Sequence, residues 1–328
     1  MDKLISIKKN STGNVLIPKS FSDTLKLLAC LLVALSHYSQ YMILEGNTNL
    51  TLSILAGQGG YLGVAFFFFF SGYGLNCSLS RHEITFSNYI KKRVSKVYTP
   101  AVFVSLIWVC ILFFLPCLQD KGLGITEIID ISNILTSLLK VFALNFYDSI
   151  LWFVGVIMIL YIVVFVYDYI KQKNVLALSF LIISTICVTI SVYYVVAPFA
   201  SISIFAFAIG VIISDFGLSI CNNRSKYILV SMAILSIFGA LSYFFPLMVH
   251  ALINYTLLFF FILICMYYEL RFQLPNIIAS ISYDIYLTHK KTLVILFYLF
   301  NNHNVIAFVI IMLIIAFIEQ KLRNLVKL

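Results

Sequence analysis

"FSDTLKLLACLLVALSHYSQYM" occupies Phe21 to Met42. It is almost entirely apolar, and its length matches the roughly 20 residues that a helix needs to cross a bilayer. Yet it carries Lys26 and His37. Ionisable groups inside a span are costly and are functional candidates by default. Eleven residues separate the two, almost three whole turns at 3.6 residues per turn. Both side chains therefore leave one helix face, about 16 Å apart along the axis. By itself Lys26 reads as a snorkelling lysine near a helix end. His37 reads either as a base or as a hydrogen-bond bridge between helices.

Working outward, the composition places this helix in a membrane protein. Of 328 residues, 62% are hydrophobic and 11% charged, against about 45–50% and about 25% in soluble domains. Only helices or closed barrels satisfy every backbone group in lipid. Apolar runs of helical length recur from end to end, which gives an all-α, polytopic fold. Ten spans are expected, at roughly 22–43, 52–79, 97–118, 150–170, 175–195, 198–214, 227–246, 250–268, 277–300 and 304–320.

The basic residues orient these spans. With the N-terminus inside, the inner segments take 17 of the 22 Lys and Arg, the outer loops take Lys121 and Lys140, and Lys26, Lys290 and Lys291 fall within spans. This positive-inside asymmetry puts both termini in the cytoplasm and explains the net charge of +9 without nucleic acid. The chain reads as one membrane domain, 1–328, with a cytoplasmic tail at 1–21, an extracytoplasmic loop at 119–149 and a cytoplasmic tail at 321–328. Lys19, the apolar run and Ala34-Leu35-Ser36 imitate a signal peptide. Both the basic leader and the run are longer than usual for one, so α-helical retention is expected. The seven Cys are scattered without a CxxC pair, so no metal site and no disulfide framework is expected.

Two further stretches stand out. "SISYDIYLTHKKTLVILF" (280–297) puts Asp284, His289, Lys290 and Lys291 in one span. Adjacent lysines leave different faces, and Asp284 is expected to pair with Thr288 or Lys291. "NYIKKRVSKVYTP" (88–100) opens the third span with Lys92, Arg93 and Lys96. It is either a positive-inside anchor or an anion site, because Arg and Lys bind phosphate by charge-assisted hydrogen bonds.

These segments resemble the acyltransferase-3 family of integral membrane acyltransferases. "DTLKLLACLLVALSH" carries that family's Arg/Lys-x10-His as Lys26 and His37. "GGYLGVAFFFFFSGYGL" (59–75), with Ser71 and Tyr73, looks like its second-helix signature. "KKRVSKVYTP" is similar to its Arg-x-x-Arg stretch before a Pro, with Lys96 in place of the second Arg. "LWFVGVIMILY" (151–161), with Trp152, looks like its fourth helix, and "SYDIYLTHK" (282–290) like its late Tyr-Leu-x-His segment. The matches follow the family's order over most of the chain. Lys96 keeps the charge but lacks the bidentate fork of Arg.

The resemblance implies transfer of an acyl group, often acetyl, from cytoplasmic acyl-CoA to an extracytoplasmic acceptor, commonly a surface or capsular polysaccharide of a bacterial cell. No bound cofactor is implied; acetyl-CoA is the donor substrate. The implied roles are a catalytic centre at His37 with Lys26, acyl-CoA binding at Arg93, Lys96 and Lys92, and support from Ser71, Tyr73, Trp152, His289, Lys290 and Asp284. Imidazole has an ordinary pKa near 6.5, so a neutral base is available near pH 7. The rival class is a transporter or flippase for a polysaccharide precursor, since embedded His, Asp and Lys also mark ion pathways. The polar residues gather in the first and ninth spans rather than in the matched halves typical of transporters.

Overall fold

The computed structural model describes residues 17, 19–80, 84–115, 118, 151–171, 176–196, 198–221, 246–267 and 280–325. Every regular element among them is helical. Helix α1 (Lys19–Leu44) is followed by α2 (Leu50–Ile54), a π-helical turn (Leu55–Gly59) and α3 (Gly60–Leu79). Next come α4 (Phe86–Arg93), a second π-helical turn (Val94–Tyr98) and α5 (Thr99–Phe114). Then α6 (Leu151–Lys171), α7 (Ala177–Val195), the short α8 (Pro198–Ser201), α9 (Ala206–Cys221), α10 (Pro246–Tyr267), α11 (Ser282–Phe300) and α12 (Val305–Leu325) complete the described elements.

Among the described residues seven helical runs are long and apolar enough to cross a membrane: Phe21–Leu44, Leu50–Leu79, Phe86–Leu112, Leu151–Lys171, Ala177–Val195, Pro198–Asp215 and Val305–Leu325. They coincide with seven of the ten expected spans. Helices α10 and α11 occupy the expected eighth and ninth positions. The first has a shorter apolar stretch, Ile253–Ile262, and the second carries Asp284, Lys290 and Lys291. The expected seventh span at 227–246, except for the Pro246 that opens α10, and the whole of the 119–149 loop lie outside the described residues. So do 1–16 of the N-terminal tail and 326–328 of the C-terminal one. The basic stretch opens the third span, as expected. It is helical itself, built from α4 and the second π-helical turn, and runs straight into α5.

The chain divides into two compact units. The first comprises Met1–Val33, Gly57–Ile84 and Leu160–Ser280. Its centre is α3, whose stretch from Gly63 to Phe70 is buried on every side. The five consecutive phenylalanines Phe66–Phe70 are all within its interior, so they meet neighbouring helices rather than lipid. Backbone closeness explains the flanking glycines. A Cβ on Gly72 would stand 2.2 Å from the Phe207 carbonyl oxygen of α9, and one on Gly210 of α9 would stand 2.2 Å from the Phe69 carbonyl oxygen. Small residues let membrane helices approach in this way, where dispersion contacts drive association. Near the C-terminal end of α3 a polar knot ties three helices. Asp215 of α9 accepts from Tyr167 and Lys171 of α6 (2.7 and 3.0 Å) and from Asn76 of α3 (2.9 Å).

The second unit comprises Ala34–Ala56, Thr85–Ile159 and Ile281–Leu328. Its centre is α11, buried from Asp284 through Val294. Helices α11 and α12 form a hairpin whose turn has clear local causes. Asn301 closes α11 in the left-handed conformation, φ 45°, a geometry Asn tolerates better than most residues. The Asn304 side chain then accepts from the Ile306 and Ala307 N–H groups (2.8 and 3.2 Å), capping the start of α12. The C-terminal half of α1 docks on this hairpin through rings. Tyr41 meets Phe297 at 4.5 Å between centroids, Tyr38 stacks on Phe308 at 5.6 Å, and the Tyr38 hydroxyl donates to the His303 carbonyl at 2.6 Å.

The tight approach of α3 and α9 yields a direct expectation. Gly72→Leu forces the Phe207 backbone away and destabilises the protein by about 1–3 kcal/mol, the usual cost of overpacking. Gly74→Ala, where an added Cβ meets nothing within 4 Å, leaves stability unchanged. Thermal unfolding of the detergent-solubilised variants measures both.

Candidate functional site

The second unit gathers most of the residues singled out in the sequence. Helix α1 is unbroken from Lys19 to Leu44, which the eleven-residue spacing of Lys26 and His37 requires. His37 lies in the second unit, half-buried. Its ring stacks on that of His289 from α11, with centroids 5.3 Å apart and planes 24° off parallel. Its Nδ1 lies 3.1 Å from Oε1 of Gln40. His289 is fully buried, and its Nδ1 faces the Tyr286 and Ile285 carbonyl oxygens at 2.7 and 3.2 Å.

An aromatic series connects this pair with the basic segment. Tyr283, Tyr286 and His289 lie three residues apart on α11, so they share a face. Tyr283 stacks over Tyr286 (6.4 Å, 9°), and Tyr286 tilts against His289 (5.9 Å). At the far end the Tyr283 hydroxyl donates to the Val97 carbonyl at 2.8 Å, within the π-helical turn that holds Lys96. Phe153 of α6 leans on Tyr286 at 5.0 Å, and Trp152 meets Phe153 edge-on at 6.2 Å. The basic segment itself is graded in exposure. Lys92 and Lys96 are exposed and Arg93 half-buried, its guanidinium 5.3 Å over the ring of fully buried Tyr89. Lys91, Lys92 and Arg93 end α4, where cations also offset the helix dipole.

Asp284 does not pair with Thr288 or Lys291. The Thr288 hydroxyl donates back to the Asp284 main-chain oxygen (2.8 Å), the usual local bond of a threonine in a helix. The Lys291 ammonium donates to the Leu287 carbonyl at 3.1 Å. The Asp284 carboxylate instead takes Arg323 of α12 at 2.7 Å, with Gln320 at 3.4 Å. Arg323 also holds Glu319 at 3.0 Å. The hairpin explains this: Asp284 begins α11 and Arg323 ends α12, so the antiparallel return brings them side by side. Lys290 and Lys291, though on different faces, are both buried, at 2% and 7% exposure, because α11 is enclosed all round.

Three predicted residues belong to the first unit. Lys26 forms an ion pair with Asp23 one turn earlier, at 3.4 Å. Ser71 and Tyr73 stand on α3, and the Tyr73 hydroxyl accepts the Ile17 N–H at 2.8 Å. Sequence reasoning did not single out Gln40, although its place three residues after His37 shares that face. It also missed Tyr283, Tyr286, Glu319 and Arg323. Arg323 had been counted only as an inner basic residue.

A family model described as an acyltransferase domain, Acyl_transf_3, matches residues 19–318. The chain belongs to the acyltransferase-3 family. It is accordingly a membrane acyltransferase, and the match covers both units. No curated protein and no solved structure matches it.

The ion cluster on the α11–α12 hairpin can be tested separately from the chemistry. Arg323→Ala leaves two buried carboxylates without their cation, and breaking such a cluster costs about 3–5 kcal/mol. Adding Asp284→Asn and Glu319→Gln to that variant recovers part of the loss, since neutral amides carry no unpaired charge. The thermal midpoints of the single and triple variants check both steps.

Proposed function

We propose that this protein is an O-acetyltransferase of a bacterial cell membrane. It moves an acetyl group from cytoplasmic acetyl-CoA to a hydroxyl of an extracytoplasmic polysaccharide, capsular or otherwise surface-bound. Ten spans with both termini in the cytoplasm give the protein one face for each substrate. The observation that carries this reading is the stacked His37–His289 pair, joined through the Tyr286–Tyr283 series to the basic segment in one unit.

Coenzyme A presents several phosphate charges. Arg93, Lys96 and Lys92 bind them at the inner face, with Arg93 supplying the planar fork that suits phosphate. Lys26 adds a positive charge on the donor side. The thioester arm then reaches His37. A neutral imidazole takes the proton of the acceptor hydroxyl as its oxygen attacks the thioester carbonyl carbon. The carbon–sulfur bond breaks, and the proton passes to the departing thiolate, giving an O-acetyl ester and free coenzyme A. In the covalent variant the imidazole attacks the thioester carbon, the carbon–sulfur bond breaks and the thiolate leaves; the acceptor hydroxyl then attacks the acyl-imidazole, the carbon–nitrogen bond breaks, and the hydroxyl proton passes to the thiolate. His289, whose ring stacks on His37, assists in placing the thioester, together with its neighbour Lys290 and with Trp152. Asp284 assists indirectly by anchoring α11.

Two substitutions test the assignment. His37→Ala is expected to abolish acetyl transfer while membrane insertion is retained; an active variant overturns the role. Arg93→Ala is expected to raise the KM for acetyl-CoA about tenfold, the value of one charge-assisted bond, with kcat largely retained. Lys26→Ala acts in the same direction. O-acetyl signals in NMR spectra of the surface polysaccharide, together with release of free thiol from acetyl-CoA by protein in proteoliposomes, provide the readouts.

A further inference from the structure

Gln40 lies between His37 and the first π-helical turn. Its side-chain oxygen is 3.1 Å from His37 Nδ1, and its amide nitrogen donates to the Ala56 carbonyl at 3.3 Å. The Ser36 hydroxyl donates to that same carbonyl at 3.5 Å. Ala56 sits in the turn Leu55–Gly59, and single π-helical turns of this kind concentrate at functional sites.

The chemistry of these groups removes an ambiguity that atom positions alone leave open. A main-chain carbonyl only accepts hydrogen bonds. The end of the Gln40 amide that faces Ala56 must therefore be the NH2 group, because the reverse would set oxygen against oxygen. The Gln40 oxygen then faces His37, and an amide oxygen also only accepts. So Nδ1 of His37 carries hydrogen. In a neutral ring the lone pair is then on Nε2. His289 follows the same rule by a different route. Its Nδ1 faces the Tyr286 and Ile285 carbonyls, which fixes hydrogen there and makes Nε2 the basic nitrogen.

We propose that Gln40 is the positioning residue of the acyl-transfer centre: it fixes the tautomer and ring orientation of His37, so that Nε2 is the nitrogen that takes the acceptor proton or the acyl group. The inference rests on the acyl-transfer reading above. In the base route, the hydroxyl proton moves to Nε2 while the new carbon–oxygen bond forms. The carbon–sulfur bond then breaks, and that proton leaves Nε2 for the thiolate. Throughout, Nδ1–H is held by Gln40, as the partners of catalytic and ligating histidines hold the ring nitrogen that does not react. The Ala56 carbonyl braces Gln40 in turn, and also takes the Ser36 hydroxyl. The site is therefore set by a chain of accepting and donating groups that runs from the π-helical turn to the reactive nitrogen.

The test uses the full-length protein, labelled with 15N-histidine and reconstituted in lipid bilayers. The His37 signals are assigned by their loss in His37→Ala. In wild-type protein with a neutral ring, the 15N spectrum is expected to show Nδ1 protonated and Nε2 bare. Gln40→Leu is expected to lose this preference and to lower kcat about 10- to 100-fold, the usual effect of removing such a partner, with the KM for acetyl-CoA little changed. Gln40→Glu keeps an accepting oxygen beside Nδ1 but loses the donor to the Ala56 carbonyl, and is expected to restore the tautomer and only part of kcat. Turnover is followed as thiol released from acetyl-CoA, with alkali-treated, de-O-acetylated surface polysaccharide of the source cells as acceptor. A wild-type His37 that carries its hydrogen on Nε2 overturns the proposal, and this spectrum decides even if Gln40→Leu fails to fold. Undiminished kcat in a folded Gln40→Leu overturns it as well. The expected tautomer in a wild-type protein with no turnover overturns the acyl-transfer reading instead, and leaves the His37–Gln40 geometry standing.

Discussion

Within the hydrocarbon region no water is present to satisfy a polar side chain, so each must find its partner inside the protein. Helix α11 is where that constraint presses hardest. It carries a carboxylate, an imidazole and two ammonium groups. Enclosing it on every side is what allows those groups to stay. Asp284 meets Arg323, Thr288 bonds the preceding turn, Lys291 reaches the Leu287 carbonyl, and His289 turns Nδ1 to two carbonyls. The α12 hairpin and the rings of the C-terminal half of α1 supply the cover. Once α11 is held in this way, its Tyr283–Tyr286–His289 face is fixed, and so is the ring against which His37 stacks.

The first unit meets the same constraint with different means. Helix α3 is apolar all round, and it uses glycine to bring its backbone against α9. A single carboxylate, Asp215, collects donors from two other helices at one end. The segments that resemble the family signature therefore divide by physical role. In "GGYLGVAFFFFFSGYGL" the glycines and phenylalanines do the packing. In "DTLKLLACLLVALSH" and "SYDIYLTHK" the histidines are brought ring to ring.

The helical, membrane-spanning class was legible from length, apolar runs and charge placement, because those signals are local and additive along the chain. Among the described residues six of the expected spans recur within a few residues, and the third recurs with its start eleven residues earlier, at Phe86. The shared helix of Lys26 and His37 was legible from helical periodicity alone. Partners across helices were not. Asp284 was expected to bond within its own helix, and in the sequence Arg323 reads as an orientation signal. Sequence distance hides a pair that only a hairpin return brings together. Gln40 was within reach of the i,i+3 rule, but a lone glutamine in an apolar run carries no signal until a carbonyl is placed beside it. The buried state of Lys290 and Lys291 was likewise hidden, since two adjacent lysines normally mark the end of a span.

By itself, then, the sequence determined what one helix or one segment can decide: that the chain is helical, that it belongs in a membrane, where its cations lie, and that Lys26 and His37 occupy one helix face. Each of these follows from periodicity and transfer free energy, which depend on residues near one another in the chain. Only the tertiary structure decided which groups meet. It set His37 on His289, Asp284 on Arg323, and Gln40 between an imidazole and a carbonyl. Those choices depend on hydrogen-bond direction and ring contact over a few ångströms, and such short-range interactions exist only after distant helices have packed.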